Sequence, residues 1–197
     1  ISDGLTITGV AGYPHTPHDV IDAGNSGQVL RFAGALAALS DGYTVITGDE
    51  SIRSNRPIQP LIEGLKGLNA WAASSRNNGY APLIVKGPLR AGFTSLQGQD
   101  SQPVSALLMA AAFTEGQTEI KVQQAGEKPW LALTLSWLDR LGVNYSHRQL
   151  ENFIIQGQRV RPAFEVTIPG DLSAVAFPLA AALVTQSEMS IEHVDIH

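Results

Sequence analysis

The sequence predicts an α/β (α+β) protein assembled from repeated β-α-β-α-β-β units. Three observations predict it. Apolar residues switch along the chain between a period of two and a period near 3.6. Glycine and proline mark each switch. The whole succession then recurs after roughly 72 residues.

The elements follow in order. Leu5–Val10 alternates as a strand, and Ala11–Asp22, with Gly12, Pro14 and Pro17, reads as loop. From Ser26 to Leu39 apolar residues recur at helical spacing, and Asn25 suits the N-cap because its side-chain oxygen can accept from a free first-turn amide. Tyr43–Thr47 is a strand after the Asp41-Gly42 turn. Pro57 opens a second helix to about Leu68, since its missing N–H has no partner there in any case. Short strands at Trp71–Ala73 and Leu83–Lys86 complete the unit. The second copy reads as strand Phe93–Leu96, helix Gln102–Phe113, strand Thr118–Val122, helix Pro129–Leu141 and a hairpin of Val143–Ser146 with Asn152–Ile155. A third copy begins with strand Phe164–Ile168, helix Leu172–Val184 and strand Met189–His193. Landmarks hold the register: Gly24 to Gly98 and Gly42 to Gly116 are each 74 residues, Arg56-Pro57 to Lys128-Pro129 is 72, and Lys86-Gly87 to Gln156-Gly157 is 70. The crossover falls near Arg159, Arg161 and Pro162, so residues 1–163 are expected in one domain and 164–197 at the start of another.

Composition narrows the function. With 44% apolar residues the chain has the means to build a core, which excludes a disordered protein. Thirteen basic residues against eighteen acidic give a net charge of −5, the wrong sign for neutralising phosphates along a nucleic acid. The absence of cysteine excludes disulfides and thiol chemistry and fits a cytoplasmic protein. No apolar run approaches the roughly 20 residues that span a bilayer, and the start lacks a signal peptide's pattern. The chain begins at Ile1 rather than Met and stops at His197 after a strand-like stretch, so it is expected to be a segment of a longer protein.

Each copy places glycine and polar residues just before its first helix: Gly24-Asn25-Ser26-Gly27-Gln28, Gly98-Gln99-Asp100-Ser101-Gln102 and Gly170-Asp171-Leu172-Ser173. A helix start leaves up to four N–H groups unpaired and carries about half a positive charge. Glycine there lets an anion reach the backbone. A single such cluster is ordinarily a capped loop, whereas three in register suggest an anion pocket. Arg56, directly before Pro57, has a planar fork suited to a carboxylate or phosphate. Without that context it is a solvated loop arginine.

These residues carry a resemblance. Asn25-Ser-Gly-Gln-Val-Leu-Arg31 resembles the Asn-Ala-Gly-Thr-x-x-Arg segment of the 5-enolpyruvylshikimate-3-phosphate (EPSP) synthases. Gly48-Asp49 with Arg56-Pro57-Ile58 is similar to that family's Gly-Asp…Arg-Pro-Ile segment, and Ser101-Gln102 with Ser105-Ala-Leu-Leu-Met109 to its Ser-Ser-Gln…Ala-Leu-Leu-Met. Lys128-Pro129, Leu141-Gly142 and Gly170-Asp171 fall in order, so the likeness covers essentially the whole chain.

The resemblance implies an inside-out α/β barrel of two domains with three units each, here incomplete. It implies transfer of the enolpyruvyl group of phosphoenolpyruvate to the 5-hydroxyl of shikimate 3-phosphate in the shikimate pathway of aromatic amino-acid biosynthesis. Neither metal nor cofactor is implied, and the complete protein would be a monomer. Asn25, Gly27, Arg56 and Gln102 would bind phosphoenolpyruvate; Ser101, Gln102 and Trp130 would bind shikimate 3-phosphate. Arg31 would support the helix rather than touch ligand. None of the family's catalytic groups matches here, so the segment alone is expected to be inactive.

Departures are visible. Asp100 and Glu127 stand where the family has phosphate-binding serines, and two carboxylates there oppose phosphate unless they turn away or pair with Lys128 or Arg90. Gln28 replaces a Thr and Phe32 a Pro. A non-catalytic homologue or excised domain is therefore one alternative. The UDP-N-acetylglucosamine enolpyruvyl transferases are another, though their loop Cys is replaced here by Ser51 and Ser54. His15 and His18 read as an exposed loop rather than a metal site, and Trp71 and Trp137 as core.

Overall fold

A computed structural model describes residues 7–159, 163–168, 170–171 and 173–192. The chain divides into two compact units, Ile1–Pro162 and Ala163–His197.

The first unit contains the repeat twice. Copy one runs β1 (Ile21–Asp22), α1 (Gly27–Ala37), β2 (Tyr43–Thr47), α2 (Glu50–Asn55), α3 (Gln59–Gly67), β3 (Trp71–Ser74) and β4 (Leu83–Lys86). Copy two runs β5 (Phe93–Gln97), α4 (Ser101–Ala112), β6 (Gly116–Gln123), α5 (Lys128–Arg140), β7 (Asn144–Arg148) and β8 (Asn152–Gly157). Their sheets have the same order, β1-β2-β4-β3 and β5-β6-β8-β7. In each, the first two strands are parallel and the remaining pairings antiparallel. A parallel pair needs a crossover, which α1 and α4 supply.

Details of the loops repeat as well. Asp49 N–H donates to Gly24 O and Gly126 N–H to Gly98 O, tying the turn after the first strand to the turn after the second in both copies. Gly87 and Gly157 close the last strand of each copy against a helix end. A Cβ on Gly87 would run into the carbonyls of Ala38 and Ser40, and one on Gly157 into those of Ala111 and Thr114. Only glycine admits that approach.

The core lies between the helices and one face of each sheet. Ile46, Leu83 and Val85 pack with Leu30, Leu61 and Leu65 in copy one, and Ile120, Phe153 and Ile155 with Val104, Leu107 and Leu108 in copy two. Helix α4 is central, with ten of its twelve residues buried. It packs against α1, α3 and α5, so a one-sided apolar stripe gives way to apolar residues all round. Buried Thr94 joins the copies by donating from Oγ1 to Gly64 O at 2.9 Å.

Several expectations are corrected. Ile7–Val10 form no strand, and the start of the alternation, Leu5, lies outside the described residues. Ile7 is 79% exposed, so its apolar face has nothing to pack on. The first strand of copy one is instead the two-residue β1, within the expected loop. Ser26 rather than Asn25 caps α1, its Oγ accepting from Val29 N–H at 3.1 Å. Helix α3 starts at Gln59 with Pro60 in its first turn, while Pro57 stays in the extended link after α2. Trp71 is 48% exposed and meets Tyr43 edge to face at 5.8 Å on the outer side of the sheet. Trp137 is half-buried, with the Arg140 guanidinium 5.6 Å from its ring centre.

In the second unit, α6 spans Ala176–Thr185 and none of its residues is buried. The expected helix start at Leu172 lies outside the described residues, and Asp171 turns the chain there by accepting from Ser173 N–H at 2.9 Å. Phe164–Ile168 and Met189–Glu192 are not strands, and His193 is outside the described residues. Alternating residues become a strand only where another strand offers a ladder.

Candidate functional site

The first helices of the two copies meet at their starts. Helix α1 buries Gly27, Leu30, Arg31, Gly34 and Ala35, one face at helical spacing. Arg31 thus occupies a core-facing position and is 2% exposed. Its guanidinium donates to Gln102 Oε1 at 2.7 Å and to Pro57 O at 2.9 Å. It also pairs with Asp100 Oδ2 at 2.8 Å. One side chain therefore ties α1 to the start of α4 and to the segment after α2.

Gly27 sits at the centre of this junction. A Cβ there would stand 2.7 Å from Arg31 Nη1, 3.1 Å from Gln102 Oε1 and 3.8 Å from Arg56 Cδ. Gly27, Arg31, Arg56 and Gln102 are thus gathered around one point, and the missing side chain leaves room there for the Arg31–Gln102 contact. Arg56 ends α2 in an extended conformation, as a residue before proline prefers. Its position is set from the other end of α2, where Asp49 caps the helix by accepting from Ile52 N–H at 3.0 Å. Asn25 Nδ2 donates to the same Asp49 carboxylate at 2.6 Å. Asn25 therefore holds the α1 loop to α2. Arg56 is exposed, and among the described residues no carboxylate pairs with it.

At the start of α4, Asp100 Oδ1 accepts from Gln102 N–H at 2.9 Å as the N-cap. Buried Ser101 donates from both N–H and Oγ to Glu127 Oε2, at 3.0 and 2.8 Å. The two carboxylates find partners other than Lys128 and Arg90: Asp100 has Arg31, and Glu127 has Ser101.

The charges shift one another. Burial lowers the Arg31 pKa, Asp100 opposes that, the positive charge of Arg56 adds to it and Glu127 counters it. The Glu127 carboxyl is held below its ordinary value, first by the Ser101 N–H and then by its hydroxyl, with a smaller pull from Arg31. Asp49 is lowered chiefly by the Ile52 N–H, and Asn25 adds to the effect. For Glu127 and Asp49 hydrogen bonds to the ionised form are the shared leading cause.

Beside these tips a cavity of about 450 Å³ opens between α1, α4 and α5. Its wall starts at the first turns, with Gln28, Ser101 and Glu127, and ends at the last, with Leu36, Phe113 and Leu141. Phe32 lines it, as does Trp130, which is 53% exposed in the first turn of α5. Trp130 thus lines the same cavity as Ser101 and Gln102. Among the described residues no three His, Asp or Glu side chains cluster as metal ligands, and no helix is long and apolar enough to cross a membrane.

Sequence reasoning placed Arg31 only as a helix support. Its spacing with Gly27, Leu30, Gly34 and Ala35 is the signal that a buried hub was present.

Comparison with known proteins agrees with this architecture. The chain matches the EPSP synthase (3-phosphoshikimate 1-carboxyvinyltransferase) family over residues 2–197. The 3-phosphoshikimate 1-carboxyvinyltransferase of Ruminiclostridium cellulolyticum is 39% identical over 196 residues, covering 99% of this chain and 46% of that protein. The enzyme of the same name from Acetivibrio thermocellus is 42% identical over 195 residues, covering 98% and 46%. The chain thus spans a little under half the length of these curated relatives. The solved structure of EPSP synthase from Acinetobacter baumannii superposes with a TM-score of 0.73 at 22% identity, over 92% of this chain and 40% of that one, a likeness of fold. A duplicated module with matching sheets, an ordered set of motifs and a match over nearly every residue lead to one conclusion: the chain belongs to the EPSP synthase family.

Proposed function

We propose that this chain forms one ligand-binding face of a 3-phosphoshikimate 1-carboxyvinyltransferase, which moves the enolpyruvyl group of phosphoenolpyruvate to the 5-hydroxyl of shikimate 3-phosphate and releases phosphate. The observation that carries the reading is Arg56: exposed, without a carboxylate partner among the described residues, and beside Gly27. An exposed guanidinium with no carboxylate partner among the described residues suits a small planar anion.

The chemistry of the residues gives each a role. Arg56 grips phosphoenolpyruvate through two parallel hydrogen bonds, and Gly27 leaves room beside it for the Arg31–Gln102 contact that orients the amide. Arg31 has donors only, so the Gln102 atom facing it is the carbonyl oxygen. That leaves the Gln102 amide N–H groups to donate to ligand oxygen atoms. Asn25 acts through Asp49 on the setting of Arg56. Ser101 and Trp130 serve the acceptor, one by hydrogen bonding and one as an apolar wall. Residues 1–163 belong to one domain of that enzyme and 164–197 begin the other, and the groups that transfer protons lie outside this chain.

Steady-state kinetics of phosphate release test the reading in the complete protein. Arg56→Ala is expected to raise the KM for phosphoenolpyruvate at least tenfold or lower kcat comparably, the loss of one charge-assisted contact. Unchanged kinetics would remove Arg56 and the proposed site with it.

A further inference from the structure

We propose that Glu127 is a specificity-determining residue on the acceptor side: its carboxylate holds the place at the start of α4 that the acceptor's phosphate takes, and so weakens the preference for a phosphorylated acceptor. The inference rests on the proposed function and sharpens it.

The hydrogen-bond inventory carries the argument. Ser101 has two donors, its N–H and its hydroxyl, and both go to one oxygen, Glu127 Oε2. Ser101 is 2% exposed, so these donors face only the start of the helix and what sits there. A carboxylate in that place is electrostatically suited, because a helix start favours negative charge. It already supplies what a phosphate oxygen would supply. An acceptor phosphate can use the Ser101 donors only after Glu127 releases them.

Asp100 does not act in this way. Its Oδ1 is committed to Gln102 N–H and its Oδ2 to the Arg31 guanidinium, so its charge is compensated where it lies. Of the two acidic residues at the site, Glu127 alone sits on the Ser101 donors.

Glu127 can also leave without loss of the core. It is exposed and lies just before α5, with no cap bond from its side chain to that helix. Its backbone is left-handed, at φ 45° and ψ 43°, a conformation seldom adopted by residues with side chains. The turn aims the carboxylate across to α4.

Titration calorimetry on the complete protein tests this, with shikimate 3-phosphate and shikimate as ligands and native protein, Glu127→Ser and Glu127→Gln as hosts. Both variants are expected to bind shikimate 3-phosphate at least about fivefold tighter than native, the effect of removing one like-charge pair near 4 Å in a water-like medium. Their affinity for shikimate is expected to stay within about twofold. Glu127→Gln keeps the size and an accepting oxygen, so it remains informative if Glu127→Ser fails to fold. Variants that bind shikimate 3-phosphate no tighter than native, or that gain equally for both ligands, overturn the role of Glu127 and leave the proposed function standing. Failure of all three proteins to bind either acceptor overturns both.

Discussion

The Arg31 guanidinium donates a 2.7 Å hydrogen bond to the side-chain oxygen of Gln102, 71 residues further along the chain. The same guanidinium neutralises Asp100. One buried arginine thus locks two copies of a module together and orients the amide that faces ligand.

Arg31→Ala leaves Asp100, Gln102 and the Pro57 carbonyl without their donor. The variant is expected to lose about 3 kcal/mol of stability in urea denaturation, the low end for breaking a buried pair because Asp100 is partly exposed. Arg31→Lys keeps the charge but cannot reach three acceptors, and is expected to fall between native and alanine. An alanine variant as stable as native would show that the junction holds without it.

Gly157→Ala forces a methyl group into the carbonyls that end α4. A loss of at least about 2 kcal/mol is expected, as for other overpacked sites. Gly9→Ala is the control, since a Cβ there has no neighbour within 4 Å. Equal midpoints for the two variants in thermal melts would contradict the close approach.

Acid stability follows from Asp49 and Glu127. Both carboxyls ionise more readily when folded than in the unfolded chain. At falling pH the unfolded chain takes up these protons first, so their contribution is complete above the ordinary carboxyl values of 3.8 and 4.5 and disappears as pH drops through the lower folded values. Glu127→Gln is expected to flatten the acid limb of a stability–pH profile, and an unchanged limb would show that the Ser101 contact does not persist in solution.

Tyr145 predicts the opposite limb. Burial first, then a hydrogen bond to Asp139 and its charge, together raise its pKa from 10.0 to about 12. Its contribution is present below pH 10 and lost as pH rises toward about 12, because the unfolded phenol ionises first. Tyr145→Phe is expected to lose less stability over that interval than native protein, read from urea midpoints.

Much of this architecture was legible from periodicity. Strand β2 and the β3–β4 and β7–β8 pairs fall where alternation and turn residues put them, and the duplication shows in spacing alone. The misses have physical causes. Helix α2 has six residues and β1 two, both too short to display a period. Pro57 and Pro60 both suit a first turn, and tertiary contact decided between them: the Pro57 carbonyl accepts from Arg31. Among the described residues the alternation in Ile7–Val10 and Phe164–Ile168 joins no ladder, which no local pattern reveals. At the site, helix spacing puts Gly27 and Arg31 on one face of α1, but the ties from Arg31 to Asp100 and Gln102 join two copies and no local pattern reveals them. The pairing of Ser101 with Glu127 joins residues 26 apart through a turn whose direction the sequence does not encode simply.

Each sheet is drawn from one uninterrupted stretch, β1 to β4 from Ile21–Lys86 and β5 to β8 from Phe93–Gly157. Among the described residues no strand is traded across the 87–92 connection. Severing that connection therefore yields two peptides that each retain their ladder partners, and their reassembly depends on the packing of α4 against α1 and α3, on side chains such as Arg31 and Thr94, and on main-chain bonds such as Arg90 N–H to Leu68 O. Fragment complementation would thus turn the α1–α4 junction into a reporter of binding energy that can be scored one substitution at a time.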